Sequence, residues 1–336
     1  MTKTILTLVM LLPAVCFLQA QHSYKHQLPT VSSEKLIKAP ACVNEKPDLP
    51  SPVVSDGSRE FILFKTAANK YTCMDVTVEN GEPFDYKQGL SGKGNQLKAD
   101  GEDFPHFAET GIHTTEELAN AKTITGLSVA KITVDARPWG SSGVGFVADD
   151  ETIMSVIWAD NQTVEKLGLT HPDMARPLFH FWNAMHYKEQ YNAEQEPDSR
   201  LQLASFFYNG KELEFKVQGS RGWQESIFND EILGTGHLEI WRELTDEEQE
   251  FLNEKYKYLS AEQMKQLKKE LSYLHTGEMV LFYINRYGFY EGHNEYRVDP
   301  VTVASLFGLK SINELHQSAN GDLYGYFIAH FTENPE

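Results

Sequence analysis

"LASFFYNGKELEFKV", residues 203–217, decides the class of fold. Leu213, Phe215 and Val217 alternate with Glu212, Glu214 and Lys216, the two-residue period of a half-buried strand. Asn209-Gly210 supplies the two residues that tolerate positive φ in a type I′ turn, so the segment predicts a tight antiparallel hairpin. Upstream, "REFILFKTAANKYTCMDVTV" (59–78) predicts two more strands joined near Ala68-Asn69. "KITV" (131–134), "TIMSVIWA" (152–159), "HLEIW" (237–241), "EMVLFYINRY" (278–287) and "DLYGYFIAHF" (322–331) are apolar runs of strand length and extend the set.

Helix starts are marked by capping boxes, in which a Ser/Thr hydroxyl and a Glu/Gln three residues later satisfy each other's backbone N–H groups. Thr114 with Glu117, Thr245 with Glu248, Ser260 with Gln263 and Ser311 with Glu314 fit this spacing, the last helix stopping at Asn320-Gly321. "THPDMARPLFHFWNAMHYKEQYN" (170–192) opens a longer helix, with Thr170 near the cap and Pro172 in the first turn. Strands and helices intermingle without a βαβ rhythm, so the reading is an α+β fold: a predominantly antiparallel sheet with several packed helices, spanning 58–333.

Two segments precede that region. "MTKTILTLVMLLPAVCFLQAQ" has one lysine, an apolar run from Ile5 to Leu18 and a small-residue exit, the pattern of a signal peptide cleaved after Ala20. The alternative is a lipid-modified Cys16. The run is shorter than the roughly 20 residues a membrane span needs, and no later stretch is longer. The expected location is therefore secreted or periplasmic. Residues 21–57 carry five prolines and read as an extended arm. Export permits a Cys42–Cys73 disulfide, which would contribute roughly 3–4 kcal/mol in the chain-entropy model.

The formal charge of −18 repels nucleic acid and anionic membranes, and no basic cluster offsets it. The expected partner is a small-molecule or glycan ligand. No cofactor or metal is specified. "WGSSGVGF" (139–146) lacks the Lys-Ser/Thr of a phosphate loop and the spacing of a dinucleotide fingerprint, and reads as a hairpin or pocket-edge loop. His180 and His186 fall about 240° apart round a helix and cannot share a metal from one face. Asn161 stands in a glycosylation sequon and equally suits a helix cap.

The densest chemistry lies in "RYGFYEGHNEYRVDP" (286–300). With Met279–Asn285 a buried strand and Asp299-Pro300 a helix start, an extended 291–299 would aim Glu291, His293, Glu295, Arg297 and Asp299 to one side. On that geometry His293 is a general acid/base, Glu295 orients it and Glu291 assists. Arg297 clamps a substrate carboxylate or sulfate, with Tyr290, Tyr287 and Arg286 as further ligand contacts. Metal binding by His293 would need help from His171 or His237. These residues point to an exported hydrolase or lyase acting on a small polar or carbohydrate-like substrate. The alternative is a non-catalytic ligand-binding protein using the same surface. The structural alternative makes the charged groups salt bridges on a solvated edge while the tyrosines seal the core.

Overall fold

The computed structural model describes residues 53–54, 60–68, 70–77, 97–99, 102–103, 122–123, 129–228 and 233–331. The expected signal peptide, the expected arm apart from Val53–Val54, Cys42 and the Thr114 capping box lie outside them.

In chain order the strands are β1 (Val53–Val54), β2 (Glu60–Thr66), β3 (Tyr71–Asp75), β4 (Leu97–Ala99), β5 (Glu102–Asp103) and β6 (Lys122–Thr123). Helices α1 (Val129–Ala136), α2 (Ile153–Lys166) and α3 (His171–Ala193) follow, then β7 (Leu203–Tyr208), β8 (Lys211–Glu225) and β9 (Leu233–Trp241). The chain continues with α4 (Asp246–Lys255), α5 (Ala261–Glu270), β10 (Tyr273–Gly277), α6 (Val280–Tyr287), α7 (Pro300–Leu306), α8 (Ile312–Ser318) and α9 (Leu323–Phe331).

Seven strands form one sheet in the order β1-β2-β7-β8-β9-β10, with β3 on the other edge of β2, and every pairing is antiparallel. The β7–β8 hairpin turns at Asn209 (φ 45°) and Gly210 (φ 75°), both in the left-handed region that a type I′ turn requires. Residues β4, β5 and β6 pair as a small second sheet. The predominantly antiparallel α+β reading therefore holds.

Four segments read as strands are helices: 131–134 lies in α1, 152–159 in α2, 280–287 is α6, and 323–331 is α9. A short apolar run lacks the length to separate a buried strand from a buried helix, and tertiary burial decides. In α6 the reason is visible, because Val280, Leu281, Phe282, Tyr283, Ile284 and Tyr287 are all buried and Asn285 and Arg286 are half-buried, so a run buried on most sides shows no clear period. The three capping boxes within the described region form as expected, at Thr245, Ser260 and Ser311. Asp299 caps α7 by accepting from Val301 N at 2.8 Å.

One face of the sheet carries Phe64, Phe206 and Phe215 against Phe181 of α3, with ring centroids 5.0–5.1 Å apart for Phe181 with Phe215 and Phe206. Behind α3, Phe179 meets Phe282 of α6 at 5.3 Å. Phe61, Leu63, Cys73 and Phe207 form a smaller cluster of their own. Cys73 is buried there, and its expected partner Cys42 is outside the described residues. Asn161 is not a cap. It lies inside α2, 2% exposed, which leaves the sequon no access to a glycosylating enzyme once folded.

Two carboxylates bolt helices to the sheet. Glu248, at the start of α4, takes both Nη atoms of buried Arg242 at 2.6 and 3.0 Å and Lys211 Nζ at 2.8 Å. Burial alone would raise its pKa, but Arg242 and Lys211 overcome that and hold it at about 2. Glu60 accepts from His180 Nε2 at 2.9 Å and pairs with Arg176; the His180 bond chiefly holds it at about 2 against the cost of burial. A depressed folded pKa means stability that is present above the unfolded value near 4.5 and is lost as pH falls toward 2. Urea unfolding should show stability dropping between pH 4.5 and pH 2. Glu248→Gln should be less stable at pH 7 and lose less of its stability on acidification; an unchanged acid slope would show that this ion pair does not carry it.

Candidate functional site

The stretch from 288 to 299 is a compact turn between α6 and α7, not an extended strand. Gly288 ends α6 at φ 62°, and any Cβ there would stand 2.7 Å from His171 Nε2, so only glycine fits. Glu291 adopts φ 62° as well, unusual for a residue with a side chain. Arg297 folds back across the turn. Its Nη1 donates to the Glu291 carbonyl, and its fork meets Asp160 of α2, Nη2 to Oδ1 at 2.6 Å and Nη1 to Oδ2 at 3.2 Å. Asp299 Oδ2 is 3.8 Å from Nη2.

This geometry breaks up the expected row of charges. Arg297 is committed to Asp160 inside the fold, with a side chain 5% exposed, and cannot clamp a substrate as expected. Tyr290 is wholly buried. His171 Nε2 donates to Asn161 Oδ1 at 3.1 Å, which leaves Nδ1 to accept the Tyr290 hydroxyl at 3.0 Å. Tyr287 stacks on Phe228 at 3.9 Å, and neither tyrosine offers a face to a ligand. Arg286 is half-buried with its guanidinium 5.7 Å from the Phe282 ring centre. The alternation failed because a turn closed by Arg297 has no two-residue period.

His293 does pair with a carboxylate, but with Glu151 rather than Glu295. Glu151 Oε1 meets His293 Nδ1, while Oε2 accepts from His293 N at 2.9 Å and Ala148 N at 2.7 Å. Burial opposes the charge on Glu151, yet these bonds, His293's first, hold its pKa below the ordinary range. Gly292 N donates to Phe146 O at 2.7 Å, so the 291–293 turn is clipped to the glycine-rich loop. Gly292 has no room for a side chain: a Cβ would lie 2.1 Å from Glu151 Oε2. Glu151 is 142 residues from His293, and no sequence spacing signals the pair.

The turn divides its remaining groups between two cavities. Asn294, Glu295, Arg297 and Asp299 line a small one of about 140 Å3 with Glu270 and His275. Burial, with the Asp299 charge second, raises Glu270 to about 7. Glu291 and Tyr296 line the other, of about 310 Å3, within the range typical of ligand sites. Its walls are Ser142, Gly145 and Phe146 of the glycine-rich loop, Gln224 at the end of β8, Gly234, Gly236 and His237 of β9, and Gly277, Glu278 and Met279 leading into α6. A larger hollow of about 420 Å3 beside α9 has Lys166 and Asp322 as its charged groups and no buried carboxyl.

The 310 Å3 cavity is the candidate site because two buried carboxyls open on it. Glu278 is 8% exposed, and Glu291 is 4%. Burial raises Glu291 to about 8, against the opposing bond from Asn294 Nδ2 at 2.9 Å, so the group is a neutral acid at pH 7. Glu278 Oε1 occupies the space above Gly236, where a Cβ would come within 2.6 Å of it. His237 stacks on Tyr296 at 5.0 Å and 13°, and its buried Nδ1 has no hydrogen-bond partner among the described residues. Burial, then the neighbouring Glu295 carboxylate, raises the Tyr296 hydroxyl. Of the expected site residues, Glu291 alone reaches this cavity. Glu278 and Tyr296 were missed as site residues, since nothing local marks them, and His237 was named only as a possible metal ligand beside His293. No cluster of three metal-ligating side chains occurs among the described residues, and His171 and His237 do not join His293. No helix there is long and apolar enough to cross a membrane.

Removing one partner of a buried ion pair strands the other charge, at a cost of roughly 3–5 kcal/mol. Arg297→Ala should destabilise by about that much in chemical denaturation. Asp160→Asn should be comparably costly, and the double variant should cost less than the sum. Additive losses would show that the pair is not coupled.

Compared with known proteins, the chain matches no family model, no curated protein and no solved structure.

Proposed function

We propose that this chain is an exported acid–base enzyme, a hydrolase or lyase, that takes a small polar substrate into the 310 Å3 cavity. Export rests on the leader-like residues 1–20. The observation that carries the chemistry is the pair of buried carboxyls, Glu278 and Glu291, lining one cavity beside His237, whose Nδ1 has no hydrogen-bond partner among the described residues. Burying a carboxyl costs stability, and so does holding a glutamate at positive φ; Glu291 does both at once. Two such penalties at one cavity-lining residue support a working role over a structural one.

In this reading Glu291, neutral at pH 7, donates a proton to the leaving group. Glu278 acts as the second carboxyl, activating water in a hydrolase or removing a proton in a lyase. His237 and Tyr296 form the wall that orients the substrate. His293 and Glu151 are positioning residues, holding the turn that presents Glu291. The binding-protein alternative keeps the cavity and needs no proton donor, so loss of the Glu291 proton separates the two.

A panel of chromogenic aryl glycosides and esters, with an unsaturated-product assay for lyases, should reveal turnover. Glu291→Gln should then lower kcat by about 10²–10⁴-fold with little change in ligand affinity. Wild-type activity should fall as pH rises through about 8, where Glu291 loses its proton. The same raised pKa makes folded stability decline between pH 4.5 and 8, because the unfolded carboxyl ionises first, and Glu291→Gln should flatten that decline. Full turnover by Glu291→Gln would sink the assignment.

A further inference from the structure

Trp139 is 88% exposed, on the same loop that walls the cavity with Ser142, Gly145 and Phe146. Isolated exposed apolar residues are ordinary, but this one also holds φ 66°, a backbone region that bulky residues avoid. The loop imposes it: Trp139 N donates to Ser142 O at 2.9 Å, Gly140 N to Arg137 O at 2.9 Å, and Ser141 N to Asp135 O at 2.8 Å. A Cβ on Gly140 would stand 2.4 Å from Asp135 O, so the turn has no slack. Cζ3 of the indole stands 3.9 Å from where a Cβ on Gly143 would lie, and Gly143 follows Ser142, which lines the cavity. A large flat ring is thus exposed to solvent from a constrained backbone that is hydrogen-bonded to Ser142, a residue of the cavity wall.

The lining restricts what can enter. Among the described residues no lysine or arginine lines the cavity, while two carboxyls do, and the whole chain carries −18. An anionic ligand would find no compensating cation among the described lining residues. Ser142, Gln224, His237 and Tyr296 offer hydrogen bonds from several sides, which suits a ligand rich in hydroxyl groups. Of the four glycines in the lining only Gly277 has open space where a side chain would stand, since Pro138, Met279 and Glu278 fill that space at Gly145, Gly234 and Gly236. A ligand with polar edges and a flat apolar face fits both this lining and the indole.

We infer that Trp139 and the cavity form one binding site for an uncharged oligosaccharide, with one sugar ring stacked on the indole and the adjoining ring among Gln224, His237 and Tyr296. The inference rests on the cavity being the site of the proposed reaction, whose substrate class it names. Gly277 offers a way to test occupancy without touching the acid groups. It pairs with His237 across β9 and β10, so both side-chain positions share a face, and a Cβ there meets nothing within 4 Å. A side chain at 277 can therefore start without a clash, and a leucine there would project from a residue that lines the cavity.

The mature chain is titrated with maltohexaose, cellohexaose, xylohexaose and chitohexaose, and separately with oligogalacturonate and choline, by calorimetry and tryptophan fluorescence. One neutral oligosaccharide should bind saturably and change the indole emission. Trp139→Ala should weaken that binding about tenfold or more and remove most of the emission change. Gly277→Leu should abolish binding while circular dichroism and Tm stay at wild-type values. Glu291→Gln should still bind. Absence of saturation by all four sugars, preference for choline or oligogalacturonate, or wild-type affinity in both Trp139→Ala and Gly277→Leu would each overturn the inference. Sugar binding that obeys these variants without any turnover supports the inference and removes the acid–base reading instead.

Discussion

The Arg297–Asp160 pair is the interaction on which the rest of the site depends. Both groups are almost fully buried, and their two-point contact joins the 288–299 turn to α2. The same guanidinium holds the Glu291 carbonyl, which fixes the left-handed backbone at that residue and so the direction of its side chain. Such a pair contributes little net stability beside a well-packed apolar substitute, but it specifies geometry, because leaving either charge alone is costly. The turn also carries a second anchor, the Glu151 clip to His293, which binds it to the loop forming the opposite lip.

These anchors concentrate unfavourable features at one place. Glu291 is buried, neutral and at positive φ, Trp139 is exposed at positive φ, and His237 keeps a buried nitrogen without a partner among the described residues. Elsewhere buried charges are paired in the ordinary way, although Arg137 Nε, Asn161 Nδ2, Arg242 Nε, His293 Nε2 and Arg297 Nε also lack a hydrogen-bond partner among the described residues. Arg242 is sequestered by Glu248 and the Ser305 carbonyl, and His180 lies between Glu60 and the Tyr208 hydroxyl. A buried neutral carboxyl and two side-chain-bearing residues at positive φ thus gather on the turn and loop that form the cavity, as expected where a site is maintained against stability.

Much of the framework was legible because its signals are local. Asn209-Gly210 could only turn, and Ser or Thr three residues before Glu or Gln placed three helix starts correctly. The apolar runs 131–134, 152–159, 280–287 and 323–331 are helical rather than extended: near-continuous burial erases the period in 280–287, and the others are too short for composition alone to separate helix from strand. At the site, Glu291 was legible as an ionisable residue in a glycine-punctuated turn. Its companions were not: Glu278 hides in an apolar run, and Glu151 lies 142 positions from His293.

By itself, then, the sequence determined the antiparallel α+β class, the hairpin, the capped helices and the acidity that disfavours anionic partners. Only the tertiary structure decided which charges are spent inside the protein and which face a cavity. Arg297, Tyr287 and Tyr290 went to the interior, and Glu291 went to the cavity beside Glu278, His237 and Tyr296. The physical reason is that secondary structure follows from interactions within a few residues, whereas a charge's role depends on the partner folding brings to it. For Arg297 that partner is Asp160, 137 positions away.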